Sequence, residues 1–135
     1  EPQNAAHVRR GDFCDNNSFI HSYCSVTDKS YDEAIRKFNI PAPVLMVYEG
    51  WRENDPALPP ELSWLPDFLT LRDAPHLLRG NSTFSFWAGA LNRGKVYSPV
   101  VGARVGWNDV EFVEGNQECT AGKFHNQSSM VIREE

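Results

Sequence analysis

The 135-residue chain is 41% hydrophobic and 23% charged, enough for one globular domain with a buried core. Its net charge of −5 excludes a general basic surface for nucleic acid, so any phosphate site must be local, as at the adjacent Arg9 and Arg10. No stretch approaches the ~20 consecutive apolar residues of a membrane-spanning helix. No basic-then-apolar leader opens the sequence, and a start at Glu1 reads as a fragment or a trimmed chain.

The first element is a strand half over 5–9, broken by Gly11 and Asp12 into a loop over 12–28 rich in Asp, Asn and Ser. Ser30 is the expected N-cap of a helix reaching Phe38, with Ala34, Ile35 and Phe38 on one face, acids early and bases late. Pro41 and Pro43 stop it. The apolar run 44–48 follows as a strand buried on both faces. A link rich in Gly, Pro and charge over 49–60 leads to helical sequence over 62–72, interrupted by Pro66, with Asp67 as a cap for its second part.

A short strand is expected over 76–79. Ser82 then starts a helix with Phe84, Trp87, Ala88 and Leu91 on one apolar face, which makes Trp87 a core residue. Gly94 ends that helix and 95–98 is the next strand. Beyond Val100 only 110–113, an exposed edge strand, and 130–132 look extended. The alternation predicts an α/β domain with a parallel sheet, right-handed crossovers and ligands beyond the carboxyl ends of the strands.

Two motifs sit at such ends. In His7-Val8-Arg9-Arg10-Gly11-Asp12, residues two apart share a strand face, so one arginine can meet a ligand while Asp12 holds the other. A guanidinium is planar, permanently charged and bidentate, which suits a diphosphate. In Asn81-Ser82-Thr83-Phe84-Ser85, hydroxyls and a helix start follow a strand, an arrangement that can receive an anion. Taken singly, the first string also fits a solvated arginine pair and the second a plain N-cap.

Taken together and in this order, the strings resemble the signatures of the α-1,2-fucosyltransferases (glycosyltransferase family 11), the second extending through Phe86-Trp87-Ala88-Gly89. The first is shared more loosely with α-1,6- and protein O-fucosyltransferases. The resemblance covers most of residues 5 to 101. It implies a Rossmann-like, nucleotide-sugar-binding half of a GT-B glycosyltransferase over 1–101, with an irregular extension over 102–135.

It further implies an inverting enzyme that moves L-fucose from GDP-fucose to a galactoside hydroxyl of a glycan acceptor, without cofactor or metal. Arg9 would be the catalytic residue, stabilising the leaving diphosphate. His7 and Asp67 would lie near the guanosine. Arg10, Asp12, Asn81, Ser82, Thr83, Phe84 and Ser85 would complete the donor site. No catalytic base is identified, since Asp12 is the expected partner of Arg10.

The resemblance implies a membrane-associated setting, the Golgi lumen for a eukaryotic protein and the cytoplasmic side of the membrane for a bacterial one. Three departures stand out. Phe86 replaces the commoner tryptophan, Glu49-Gly50-Trp51 stands where relatives carry a Ser-Asp-Asp-like turn, and the N-terminal acceptor domain is missing. The alternative is a truncated, non-catalytic GDP-binding or structural module.

The remaining marks are weaker. Cys14, Cys24 and Cys119 have no metal-type spacing; Cys14 and Cys24 could close a loop in an oxidising compartment, or all three could be free thiols. Three Asn-x-Ser/Thr triplets, at Asn16, Asn81 and Asn126, match the glycosylation pattern. Trp51, Trp64 and Trp107 read as loop packing, His21, His76 and His125 as structural or solvated, and Arg72 with Asp73 as a surface pair.

Overall fold

The protein was analysed as a computed structural model that describes residues 1–8, 26–48, 59–80, 82–100 and 109–117. Arg9, Arg10, Asp12, Asn81, the three cysteines and the expected strand over 130–132 lie outside these residues.

Among the described residues, five strands and three helices alternate along the chain: β1 (Asn4–Val8), α1 (Asp28–Lys37), β2 (Val44–Tyr48), α2 (Leu65–Asp73), β3 (His76–Leu78), α3 (Thr83–Leu91), β4 (Lys95–Pro99) and β5 (Phe112–Glu114). A 3₁₀ turn, Pro60–Leu62, precedes α2. The sheet order is β2-β1-β3-β4-β5. The first four strands are parallel, as the alternation predicts, and β5 pairs antiparallel with β4, so the sheet is mixed. The domain is an α/β domain.

The chain steps from β1 to β2 on one side, then crosses back over β1 to reach β3 and β4. Right-handed crossovers require the helices of the two directions to lie on opposite faces. The core divides accordingly. Ala6, Val8, Leu78 and Tyr97 pack beneath α1 with Tyr31, Ala34 and Phe112. Ala5, Val47, Leu77 and Val96 pack on the other face with Leu71 of α2 and Ala88 of α3.

Several sequence expectations are corrected. The N-cap of α1 is Thr27, whose hydroxyl accepts the Ser30 amide at 3.2 Å. Ser30 is buried within the first turn, and its own hydroxyl accepts the Val110 amide at 2.8 Å, tying the approach to β5 onto α1. The same helix ends in a Schellman arrangement, Ile40 N–H to Ile35 C=O and Asn39 N–H to Arg36 C=O, with Asn39 at a φ of 54°.

The run Val44–Tyr48 is an edge strand with Leu45 and Tyr48 exposed; its apolarity does not reflect burial on both faces. Pro66 does not interrupt α2 but sits in its first turn, where a missing N–H costs nothing. Asp67 lies one residue further into that turn and is not the cap.

The largest correction concerns α3. Its buried face is Ser85, Ala88 and Gly89, whereas Trp87 is 53% and Leu91 57% exposed. The small residues win because the helix approaches the sheet closely. A Cβ on Gly89 would stand 2.4 Å from Asn116 Oδ1 and 3.3 Å from Val96 Cγ1. Arg72 and Asp73 do pair on the surface, at 2.8 Å.

Leu71 is fully buried between α2 and the sheet. Leu71→Ala is expected to cost ~2–5 kcal/mol of unfolding free energy, measurable by denaturant titration. A second expectation concerns pH. The Thr27 hydroxyl, at 2.6 Å, holds the exposed Asp109 carboxyl below its ordinary value, with help from Lys29. A lowered folded pKa contributes stability above the ordinary carboxylate range, and that contribution is lost as pH falls through the folded pKa. Thermal melts should show a smaller acid-induced loss in Asp109→Asn than in the wild type.

Candidate functional site

The strand order reverses between β1 and β3: the chain leaves β1 towards β2, and leaves β3 towards β4. In open α/β sheets ligands bind outside the carboxyl ends of two such strands. His7 is the penultimate residue of one of these strands. Arg79, Gly80 and Ser82 follow the other and lead into α3.

These segments touch. His7 alternates with Ala6 and Val8 on β1, so its side chain faces α3 while theirs face α1. The ring is 2% exposed and lies 5.4 Å from that of Phe84, tilted by 43°. The Tyr31 hydroxyl donates to the His7 carbonyl at 2.8 Å, fixing the strand end from the opposite face. Gly80 lies so close that an added Cβ would sit 2.8 Å from the same carbonyl oxygen. Glycine is required there for lack of space, and no unusual backbone conformation is involved.

The turn from β3 into α3 is held by two serines. Ser82 is the N-cap, its hydroxyl accepting the Ser85 amide at 3.3 Å. Ser85 is fully buried; its hydroxyl accepts the Gly80 amide at 3.1 Å and donates to the Gly80 carbonyl at 3.0 Å. The Phe86 amide bonds to the Ser82 carbonyl at 3.0 Å. First-turn amides ahead of it, at Thr83 and Phe84, have no acceptor within the helix. Thr83 is the exposed hydroxyl of the three. The start of α3 therefore presents two amides, one hydroxyl and the positive end of the helix dipole.

Of the residues singled out in the sequence, His7, Ser82, Thr83, Phe84 and Ser85 thus gather at the carboxyl ends of β1 and β3 and the start of α3. Asp67 is partly buried in the first turn of α2, next to Phe68, whose ring meets Phe84 edge-on at 5.5 Å. Arg9, Arg10, Asp12 and Asn81 lie outside the described residues. Among the described residues, no three His, Cys, Asp or Glu side chains gather into a metal site, and no helix is long and apolar enough to cross a membrane.

Sequence reasoning passed over Arg79. Its side chain is 1% exposed, bonds through Nη1 to Ser98 Oγ and to the Gln117 carbonyl, and lies 5.0 Å from the Phe86 ring. It joins β3, β4, the segment after β5 and the first turns of α3. The one available signal was an arginine standing between an apolar strand and a glycine.

Compared with family models, curated proteins and solved structures, the chain matches none. The site is therefore read from its own geometry and motifs.

Ser85→Ala would leave both the amide and the carbonyl of Gly80 without the hydroxyl that joins them. It is expected to cost ~1–3 kcal/mol, because buried polar groups that lose a partner bear their desolvation penalty. Chemical denaturation of the variant checks this.

Proposed function

We propose that this chain is the donor-binding part of a fucosyltransferase, the Rossmann-like half of a GT-B enzyme, holding GDP-fucose for inverting transfer to a galactoside hydroxyl. One observation carries the reading: His7 of the arginine motif and Ser82 to Ser85 of the serine motif meet at the reversal point of the sheet, where the start of α3 can receive a phosphate. The signature-like order of the two motifs supplies the sugar nucleotide and the chemistry.

In the transfer, the acceptor oxygen attacks the anomeric carbon of fucose while the bond from that carbon to the β-phosphate oxygen breaks. The electron pair leaves with GDP, and the acceptor proton passes to a base that these motifs do not identify. Arg9 would balance the charge developing on the diphosphate, a task that demands a fixed cation more than a proton donor. The amides opening α3 would share that charge. Partners on this reading are GDP-fucose, a glycan acceptor and an acceptor-binding domain.

A non-catalytic GDP-binding or structural module is the second reading. It is favoured by the engagement of the Ser85 hydroxyl in the turn itself, which accepts from the Gly80 amide and donates to the Gly80 carbonyl and so keeps no proton for a ligand.

Calorimetric titration tests the first reading. GDP and GDP-fucose are expected to bind, and Arg9→Ala to weaken both by about ten-fold or more, the loss of one charge-assisted contact of ~1.5–3 kcal/mol. No binding of either ligand to the wild-type chain would refute the donor site. Binding without fucose transfer, once an acceptor domain is supplied, would select the second reading.

A further inference from the structure

Beside the candidate phosphate site lies a cleft of about 340 Å³ lined by Trp64, Phe68, Thr83, Phe84 and Trp87. Four of the five are aromatic. Trp64, at the N-cap of α2, and Trp87, on α3, are 47% and 53% exposed, an unusual state for two of the largest apolar side chains. They are not loose. The Trp64 indole N–H donates to the Glu61 carbonyl at 2.8 Å, and its ring meets Phe68 edge-on at 5.6 Å. Trp87 meets Phe86 edge-on at 5.5 Å. The rings are oriented before any ligand arrives.

We propose that this cleft is a base subsite, taking the flat face of a purine whose phosphates lie at the start of α3. The inference rests on the donor-binding reading and extends it to residues that neither motif assigned to binding. Three observations select this occupant. The cleft and the anion site are continuous: Thr83 opens α3 and also lines the cleft, and Phe84 packs on His7 at its inner side. Its volume lies at the small end of the ~300–1,000 Å³ range of ligand pockets, room for one ring system and not for a whole sugar nucleotide. Its walls offer aromatic faces and a single hydroxyl, suited to stacking and poorly suited to a hydroxyl-rich sugar. A nucleotide joins a flat ring to an anionic end, and this chain sets an aromatic cleft beside a helix N-terminus in the same relation.

The test uses GDP and inorganic pyrophosphate as probes, titrated by calorimetry and by tryptophan fluorescence into the wild type, Trp64→Ala and Trp87→Ala. Both side chains are about half exposed, so the variants should fold, as circular dichroism can verify, and Trp64→Phe retains a stacking ring as a control. GDP is expected to quench tryptophan emission where pyrophosphate does not. Each alanine variant should weaken GDP roughly ten-fold or more, the range seen when a base loses its aromatic platform, and leave pyrophosphate unchanged. Trp64→Phe should recover most of the loss.

Unchanged GDP affinity in both alanine variants would overturn the base subsite while leaving the donor-binding reading intact. Equal weakening of GDP and pyrophosphate would overturn it as well, since the substitutions would then be acting on the anion site. Failure of the wild type to bind either probe would overturn both readings together.

Discussion

Gly80 lies against the His7 carbonyl because it has no side chain to keep it away, and much of the site follows from that approach. The contact brings the turn after β3 onto the end of β1, the two strands between which the sheet order reverses. Ser85 then closes the turn by bridging the Gly80 amide and carbonyl, and Ser82 caps the helix that begins there. From the other face, Tyr31 holds the His7 carbonyl in place. One carbonyl oxygen is thus the meeting point of a helix on one side of the sheet and a strand-to-helix turn on the other.

The same economy of space explains the composition of α3. A helix whose first turn is pinned this close to the strands can bury only small residues, so Ser85, Ala88 and Gly89 face inward. Its large apolar residues are displaced to the flanks. Phe84 finds His7 and Phe68, whereas Trp87 and Leu91 reach solvent. The exposed aromatic surface beside the start of α3 is therefore a consequence of how α3 docks, and it leaves the cleft between α2 and α3 open.

Much of the fold was legible because its signals are local. The alternation of strand and helix and the start of α3 at Ser82 depend on residues within a turn of one another, whereas the helices end before Pro41 and Gly94, at Lys37 and Leu91. The errors arose where burial had to be inferred from apolarity. The run Val44–Tyr48 has the composition of a central strand, but its position at the sheet edge is set by partners distant in sequence. Phe84, Trp87, Ala88 and Leu91 form a regular apolar stripe, but a stripe states only that a face is apolar, and packing distance decided which residues fit beneath. Ser30 is not the cap because α1 is capped three residues earlier, at Thr27, and the Ser30 hydroxyl instead accepts from Val110, eighty residues away.

The sequence by itself determined the order of elements, the α/β class and the presence of an arginine motif and a serine motif at strand ends, since each rests on short-range periodicity or on the chemistry of adjacent side chains. Only the tertiary structure decided that β1 and β3 are neighbours, that the sheet reverses between them, and that His7 therefore faces Gly80 and Phe84. It also decided that the Ser82 and Ser85 hydroxyls are engaged within the turn and that Trp64 and Trp87 stand open beside it. Strand neighbours and exposure depend on contacts between residues far apart in the chain, which local pattern does not encode.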